Sequence, residues 1–405
     1  MPTTEYLVKA RSRNGRLVET KMSAASEAEA LSRTRQLGMT PIAVEPANTG
    51  LNKEIRFGKG RVKVKDLAIF SRQLSTMLGA GLPILRCLSI LSEQTQSQRL
   101  KDLLLEMRDD VERGASLSEA MGKHEEFPLV MVSMVRAGEA GGFLDTTMGE
   151  VADALESEVK LRGQIKGALT YPIAVGIIAV LIVVGMLIFV VPVFQGLFDS
   201  LGGELPLPTQ ILVIMSDGLK DPKVFGPLII IVVGGMLWYR KYKNSPKVRR
   251  VMDPIKFRVP IFGKLFQKVA LARFSRNFST LVHAGVPILT ALDIVGDTSG
   301  NIIISRAVAD VKESVRSGTG IAKPLTEHPV FPDMIVQMIA VGEDTGALDT
   351  MLAKVADFYD QEVSATTEQL MALIEPLMII VLGAVVGGMI IALYLPIFSI
   401  YELIG

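Results

Sequence analysis

Residues 70–85 read FSRQLSTMLGAGLPIL and residues 274–289 read FSRNFSTLVHAGVPIL, one segment written twice at an offset of 204 positions. The offset persists without a gap: Gly114 pairs with Gly318, His124 with His328, Phe127-Pro128 with Phe331-Pro332, and Gly138-Glu139 with Gly342-Glu343. It continues into two long apolar runs, where Pro172 pairs with Pro376 and Pro192 with Pro396. Each unit is a helical domain that leads directly into a membrane span. Such a chain is built as a scaffold with two similar faces rather than as an enzyme with one site.

The 405 residues allow two or three domains, and their 49% hydrophobic content is concentrated in a few stretches. Residues 172–198 and 376–401 carry no Asp, Glu, Lys or Arg, and a third uncharged run, 224–239, is shorter. Crossing a hydrocarbon core of ~30 Å takes ~20 helical residues. The Pro172–Pro192 and Pro376–Pro396 intervals match that length, so three spans are expected. The polar opening MPTTEYLVKARSRNGRL does not resemble a cleavable signal peptide, so the first internal span is expected to direct insertion. A single cysteine, Cys87, rules out an internal disulfide or a multi-cysteine metal site, and a net charge of +1 argues against nucleic-acid binding.

Flanking charge sets the orientation. Lys160, Arg162 and Lys166 precede span one, and Arg240, Lys241, Lys243, Lys247, Arg249 and Arg250 follow span two. Residues 196–221 between them hold one basic residue, Lys220, against Asp199, Glu204, Asp217 and Asp221. The positive-inside rule places the large domains in the cytoplasm and this connector outside. Trp238 and Tyr239 suit the interfacial aromatic belt. Span three, preceded by Glu362, Glu368 and Glu375 without nearby basic residues, takes its direction from span two, which leaves the C-terminus outside.

The expected fold is an all-α integral membrane protein with two tandem homologous cytoplasmic helical bundles, three transmembrane helices and a small N-terminal α/β module. The expected segments are the module at 1–46, a basic linker at 47–65, bundle one at 66–168, span one at 169–195, a connector at 196–222, span two at 223–240, bundle two at 241–372 and span three at 373–400. In the module, strands are expected near Tyr6-Leu7-Val8, Leu17-Val18 and Ile42-Ala43-Val44, around an Arg13-Asn14-Gly15 turn and a helix from Ser26 to near Gly38. The linker, with Lys53, Arg56, Lys59, Arg61, Lys63 and Lys65, reads either as a solvated tether or as a contact for anionic headgroups or an acidic partner.

Most of the repeated motif has a structural explanation. Gly81-x-Pro83 and Gly285-x-Pro287 read as a glycine stop and a proline start for successive helices. Ser116 and Glu119 have capping-box spacing. In Gly138-Glu139…Gly142…Asp145 and Gly342-Glu343…Gly346…Asp349, Gly142 and Gly346 can close one helix, and Asp145 and Asp349 can N-cap the next. The two glutamates are left over, either to accept hydrogen bonds within the domain or to meet a partner or cation. His124 and His328 read as a repeated turn device, while His283 has no evident role. Glu375 beside Pro376 falls at the cytoplasmic interface, with Tyr171 in the first copy, and gives little support for an ion path. Gly383 and Gly387, with Ala384 and Gly388, make small-xxx-small patterns suited to close helix contact. Glu139, Glu343, Arg72, Arg276, Gly383 and Gly387 are therefore the candidates for a partner or oligomer interface. No phosphate loop, nucleophile elbow, Cys/His cluster or H-E-x-x-H is present, so no catalytic, cofactor or metal residue is assigned.

In FSRQLSTMLGAGLPIL and its second copy, the Gly-Glu…Gly-x-Leu-Asp segments, KFRVPIFGKL, ASEAEALSRTRQLG and the ending IEPLMIIVLGAVVGGMIIALYLPIFSI, the chain resembles the type II secretion F / PilC family over nearly its whole length. Glu19-Thr20 stand where that resemblance leads us to expect a glycine. The resemblance implies a non-enzymatic inner-membrane platform of a type IV pilus or type II secretion machine. It also implies binding to a cytoplasmic hexameric ATPase, to pilins or pseudopilins and to other inner-membrane components, with self-association as a dimer or trimer. The Phe-Ser-Arg-Gln opening and the ALYLPIF ending look more like the pilus branch. A transporter would need polar groups at the midplane of the spans, and a membrane-anchored enzyme would need a catalytic constellation. The sequence offers neither.

Overall fold

In the computed structural model the described residues are 4–11, 17–24, 27–36, 39–46, 61–201, 205–243, 245–260 and 262–404. The turn expected at Arg13-Asn14-Gly15, the stop at Gly38 and most of the basic linker lie outside them. The chain divides into two units, Met1–Gly60 and Arg61–Gly405.

The first unit holds β1 (Thr4–Arg11), β2 (Leu17–Ala24), α1 (Glu27–Gln36) and β3 (Thr40–Pro46). The sheet is antiparallel in the order β2-β1-β3, with a register shift between Lys9 and Ala10. Glu19 and Thr20 sit inside β2, paired with Lys9 and Val8, so the strand runs on where a glycine was expected to end it. Ala10, Ala24 and Ala30 are buried together, with Met39 against them.

The second unit opens with α2 (Val64–Gly79), α3 (Ile84–Gln94), α4 (Gln98–Glu112), α5 (Leu117–Gly122), α6 (Leu129–Gly141) and α7 (Leu144–Gly185). After a π-helical turn at Met186–Val190 come α8 (Val191–Leu201), α9 (Leu207–Lys220), α10 (Pro222–Tyr242) and α11 (Pro246–Arg258). The second copy follows as α12 (Phe262–His283), α13 (Ile288–Thr298), α14 (Ile302–Arg316), α15 (Ala322–Leu325), α16 (Asp333–Thr345) and α17 (Leu348–Ile404). Between α2 and the start of α7, each helix thus has its counterpart between α12 and the start of α17. The two copies share one hydrophobic core, in which Phe70, Leu74, Leu88 and Met107 of the first and Phe274, Phe278, Leu292 and Ile304 of the second are buried.

Three helical stretches are long and apolar enough to cross a membrane: Leu144–Leu197, Pro222–Tyr242 and Leu348–Leu395. In the first and third the prolines do not break the helix. Pro172 lies inside α7, which runs unbroken for 42 residues, and α17 runs for 57. Those lengths correspond to roughly 63 and 85 Å of helix, so each joins bundle to span without a joint. The two run parallel, with Leu161 beside Val363 and Leu187 beside Met389.

The connector was expected outside without a stated structure, and its described residues include α9 packed along the spans. Leu212, Val213 and Leu219 lie against the cluster of Leu187, Val191, Met389 and Leu393. Two buried hydroxyls explain the fit. Proline has no N–H and leaves a carbonyl one turn back without its helical partner. In the π turn Val191 N–H bonds to Met186 C=O, and Pro192 offers nothing to Leu187 C=O; Ser216 Oγ donates to that carbonyl instead, at 2.5 Å. Four residues before Pro396, the Ala392 carbonyl accepts from Thr209 Oγ1. The repeated proline of each span is thus answered by one α9 hydroxyl, and a bare polar group in an apolar setting costs ~1–3 kcal/mol. Ser216→Ala and Thr209→Val are expected to loosen α9, read as faster hydrogen exchange across 207–220, while the helices of the two bundles keep their protection.

Candidate functional site

Repetition extends to the side-chain contacts that hold each bundle. Arg72 on α2 pairs with Asp153 and Glu156 on α7, the latter at 2.8 Å, and Arg276 on α12 pairs with Asp357 and Asp360 on α17 at 3.0 and 2.6 Å. The two carboxylates hold the Arg72 guanidinium more firmly protonated than usual, through the hydrogen bond of Glu156 and then that of Asp153. Ser75 Oγ donates to Asp145 C=O and Ser279 Oγ to Asp349 C=O, each at 2.8 Å. His124 stands 3.8 Å from Glu106, and His328 stands 3.7 Å from Asp310. Arg72 and Arg276, candidates for a partner interface, are therefore already engaged inside their own bundles.

Glu139 and Glu343 likewise make hydrogen bonds within the domain, the first of their two readings. Glu139 Oε1 and Oε2 accept from the backbone N–H groups of Leu117 and Ser118, the latter at 3.0 Å. Glu343 repeats the arrangement on Ile321 and Ala322, at 2.5 and 2.9 Å. The first N–H groups of a helix have no partner in that helix and carry partial positive charge. One carboxylate from α6 or α16 therefore closes the bare start of α5 or α15. Ser116 and Glu119 add the expected capping box in the first copy.

Gly142 and Gly346 close α6 and α16 in the left-handed region, at φ 75° and 70°. Beyond them the N-cap of α7 is Phe143, not Asp145, and α17 begins at Leu348, which puts Asp349 in its first turn. One residue is needed between the left-handed glycine and the first helical residue, so the aspartates fall inside the helices as first-turn acids. Gly81 and Gly285 also have positive φ, and Pro83 and Pro287 stand at the N-caps of α3 and α13. Gly138 and Gly342 permit close helix approach, because a Cβ there would meet Thr147 or Leu348. Around Gly383 and Gly387 there is open space within the chain.

His283, without an evident role in the sequence, joins the copies. Its Nδ1 is 2.8 Å from Asp349 Oδ2, and its Nε2 is 3.2 Å from Glu150 Oε1 on α7. The Asp349 hydrogen bond, then the Glu150 charge, hold the imidazole above its ordinary value, while burial raises Glu150. Lys354, Asp153 and Asp357 line the same cleft. A raised histidine stabilises the fold fully below its unfolded value of ~6.5, and that contribution is lost as pH climbs through the folded value. The stability of the full chain, and with it the unfolding temperature, is expected to fall as pH rises above about 6.5, by under ~1 kcal/mol because the ring is exposed. His283→Gln should flatten the profile. Among the described residues no group of His, Cys, Asp and Glu is arranged to hold a metal ion.

A duplicated bundle, each copy continuous with a span and each fastened by the same glutamate and arginine, defines a two-lobed membrane scaffold. The family model for "Type II secretion system (T2SS), protein F" matches residues 70–192 and again 274–396, and the chain belongs to this family. It is 44% identical to the type IV pilus assembly protein PilC of Thermus thermophilus, over 99% of this chain and 98% of that protein. It is 39% identical to the protein of the same name from Myxococcus xanthus, over 98% and 95%. Type II secretion system protein F of Xanthomonas campestris is 33% identical, over 99% of both chains.

Proposed function

We propose that this protein is the inner-membrane assembly platform of a type IV pilus. It would couple a cytoplasmic hexameric ATPase to the insertion of pilins into the filament. The observation that carries the reading is the unbroken passage of α7 and α17 from bundle to span, which lets a push on the cytoplasmic bundles reach the membrane as movement of a rigid rod. The higher identity to pilus assembly proteins than to secretion protein F supports the pilus branch. A type II secretion platform working on pseudopilins is the second reading, favoured by the family description. Other inner-membrane components, membrane lipids and further copies of the chain complete the partners, and the chain contributes no chemistry of its own.

Deleting the gene should abolish surface pili, and the full-length chain should restore them. Loss of protein export with pili intact would favour the secretion reading. Purified protein should turn over no ATP yet bind the motor ATPase, and nucleotide turnover that co-purifies with the chain after contaminants are removed would defeat the platform reading. Flanking charge puts residues 1–168 and 241–372 in the cytoplasm, with 196–221 and the C-terminus outside. In intact cells a membrane-impermeant thiol reagent should label Ser200→Cys and spare Ser317→Cys.

A further inference from the structure

The two copies meet through different faces. On the first copy the contact is made by α6 and α7, and on the second by α12, α13 and α17. No comparable contact joins α2 or α3 to α16 or α17 among the described residues. The bonds across it follow suit. Arg273 on α12 is 3.2 Å from Glu158, Ser364 Oγ donates to Gln164 Oε1 at 3.0 Å, and Leu161 packs against Val363 and Leu370. A two-fold contact would use the same face on both copies. This one is head-to-tail and, among the described residues, leaves one face of each copy without its counterpart from the other copy.

The free faces are the structural counterparts of the occupied ones. Ile69, Gln73 and Gln94 hold the places of Arg273, Asn277 and Thr298, and they line an open groove over Phe70 and Leu91, with Ile69 47% exposed. Their counterparts Arg273, Asn277 and Thr298 instead face Pro128, Met131 and Met134 of the first copy. On the second copy Met334 and Met338 are half-buried where Val130 and Met134 are buried, and Phe358 is 45% exposed in the place of Ala154. The Arg273–Glu158 contact has no charged counterpart, because Ile69 replaces the arginine and Glu362 is bound to Lys268 at 2.6 Å. An exposed isoleucine and an exposed phenylalanine stand there instead.

Charge at the other end of the faces is complementary. The neutral pair Ser364–Gln164 has Lys160 and Glu368 as its counterparts, and Lys166 holds the place of Leu370; all three are exposed. We propose that the face formed by α2, α3 and α7 of one chain seats α16 and α17 of a second copy of this chain, with Ile69 against Phe358 and Lys160 and Lys166 opposite Glu368. The contact between chains repeats the contact within the chain. Because α7 and α17 run parallel, the operation that repeats the contact keeps every span in one bilayer. The inference rests on the fold and not on the pilus reading.

Cysteine exchange tests it on the full-length chain in membranes. Two differently tagged chains are co-expressed, one with Lys160→Cys and one with Glu368→Cys, and treated with a short bis-maleimide; Cys87 is buried. A product carrying both tags should exceed the yield from either variant alone by at least tenfold. Gln164→Cys with Ser364→Cys in one chain is the internal control, because it reports the contact already formed. No mixed product while that control reacts overturns the proposal, and so does equal cross-linking of either variant with itself, the mark of a two-fold face. Lys160→Glu with Lys166→Glu should weaken association at least tenfold, and adding Glu368→Lys in the same chain should restore it. Failure to restore counts against the pairing.

Discussion

Replacing Glu343 by alanine is expected to remove about 3–4 kcal/mol from the stability of the second bundle, and Glu139→Ala a similar amount from the first. Each substitution strips a carboxylate from two backbone N–H groups at the start of a short helix. A hydrogen bond to a charged group contributes ~1.5–3 kcal/mol, and the exposed donors then lack a partner. Glutamine keeps one acceptor oxygen without the charge, so Glu343→Gln should cost about half as much. Denaturant unfolding of the purified full chain reads the midpoint. Hydrogen exchange locates the change, and amides at 321–322 should exchange about a hundredfold faster. Filament assembly that fails with exchange and midpoint unchanged would move the glutamates back to a surface role.

Gly342→Ala should be as severe for a different reason. An added Cβ would lie 2.9 Å from the Leu348 Cα, and a backbone atom cannot rotate away. The turn between α16 and α17 would have to open, and overpacking of this kind costs ~1–3 kcal/mol or more. The Ala347 N–H bond to Gly342 C=O, 2.9 Å long, would be strained by the same movement. Gly138→Ala should be about as severe, because besides the Thr147 hydroxyl at 2.5 Å the added Cβ would meet the Thr147 Cβ at 2.9 Å and the Leu144 Cα at 3.2 Å, which no side-chain rotation moves. The check is the yield and melting temperature of the two variants side by side. Gly383→Ala, which meets open space in the chain, serves as the comparison and should leave the bundle's melting unchanged.

Much of the architecture is readable from sequence because glycine, proline and charge act locally. A glycine at a positive φ and a proline before a helix mark chain ends wherever they recur, so the offset of 204 carries the helix order of one bundle onto the other. Three uncharged runs give the spans. What could not be read depends on partners far apart in the chain. Glu139 reaches a helix start more than twenty residues back, and Thr209 answers a carbonyl 183 positions away. Sequence spacing does not encode either pairing. The prolines show their spacing in the sequence but not their setting: Pro172 lies within a continuous helix, and Pro192 follows a widened turn whose orphan carbonyl is met from α9. Asp145 and Asp349 misled by two positions, since the single residue that links the left-handed glycine to the next helix is itself the N-cap. His283 had no counterpart in the first copy, where Gly79 stands, so repetition could not identify it.

The uninterrupted α7 has a mechanical consequence. A helix of 42 residues is an arm of roughly 63 Å, so a tilt of about 5° at its bundle end swings the far end by roughly 5 Å. The arm softens at Pro172 and again at the π turn and Pro192, and at the latter a hydroxyl of α9 holds it, as another holds α17 near Pro396. Leverage applied to either bundle therefore arrives at a single clasp that ties both arms together near their far ends. The two lobes would move those ends in concert and not one by one.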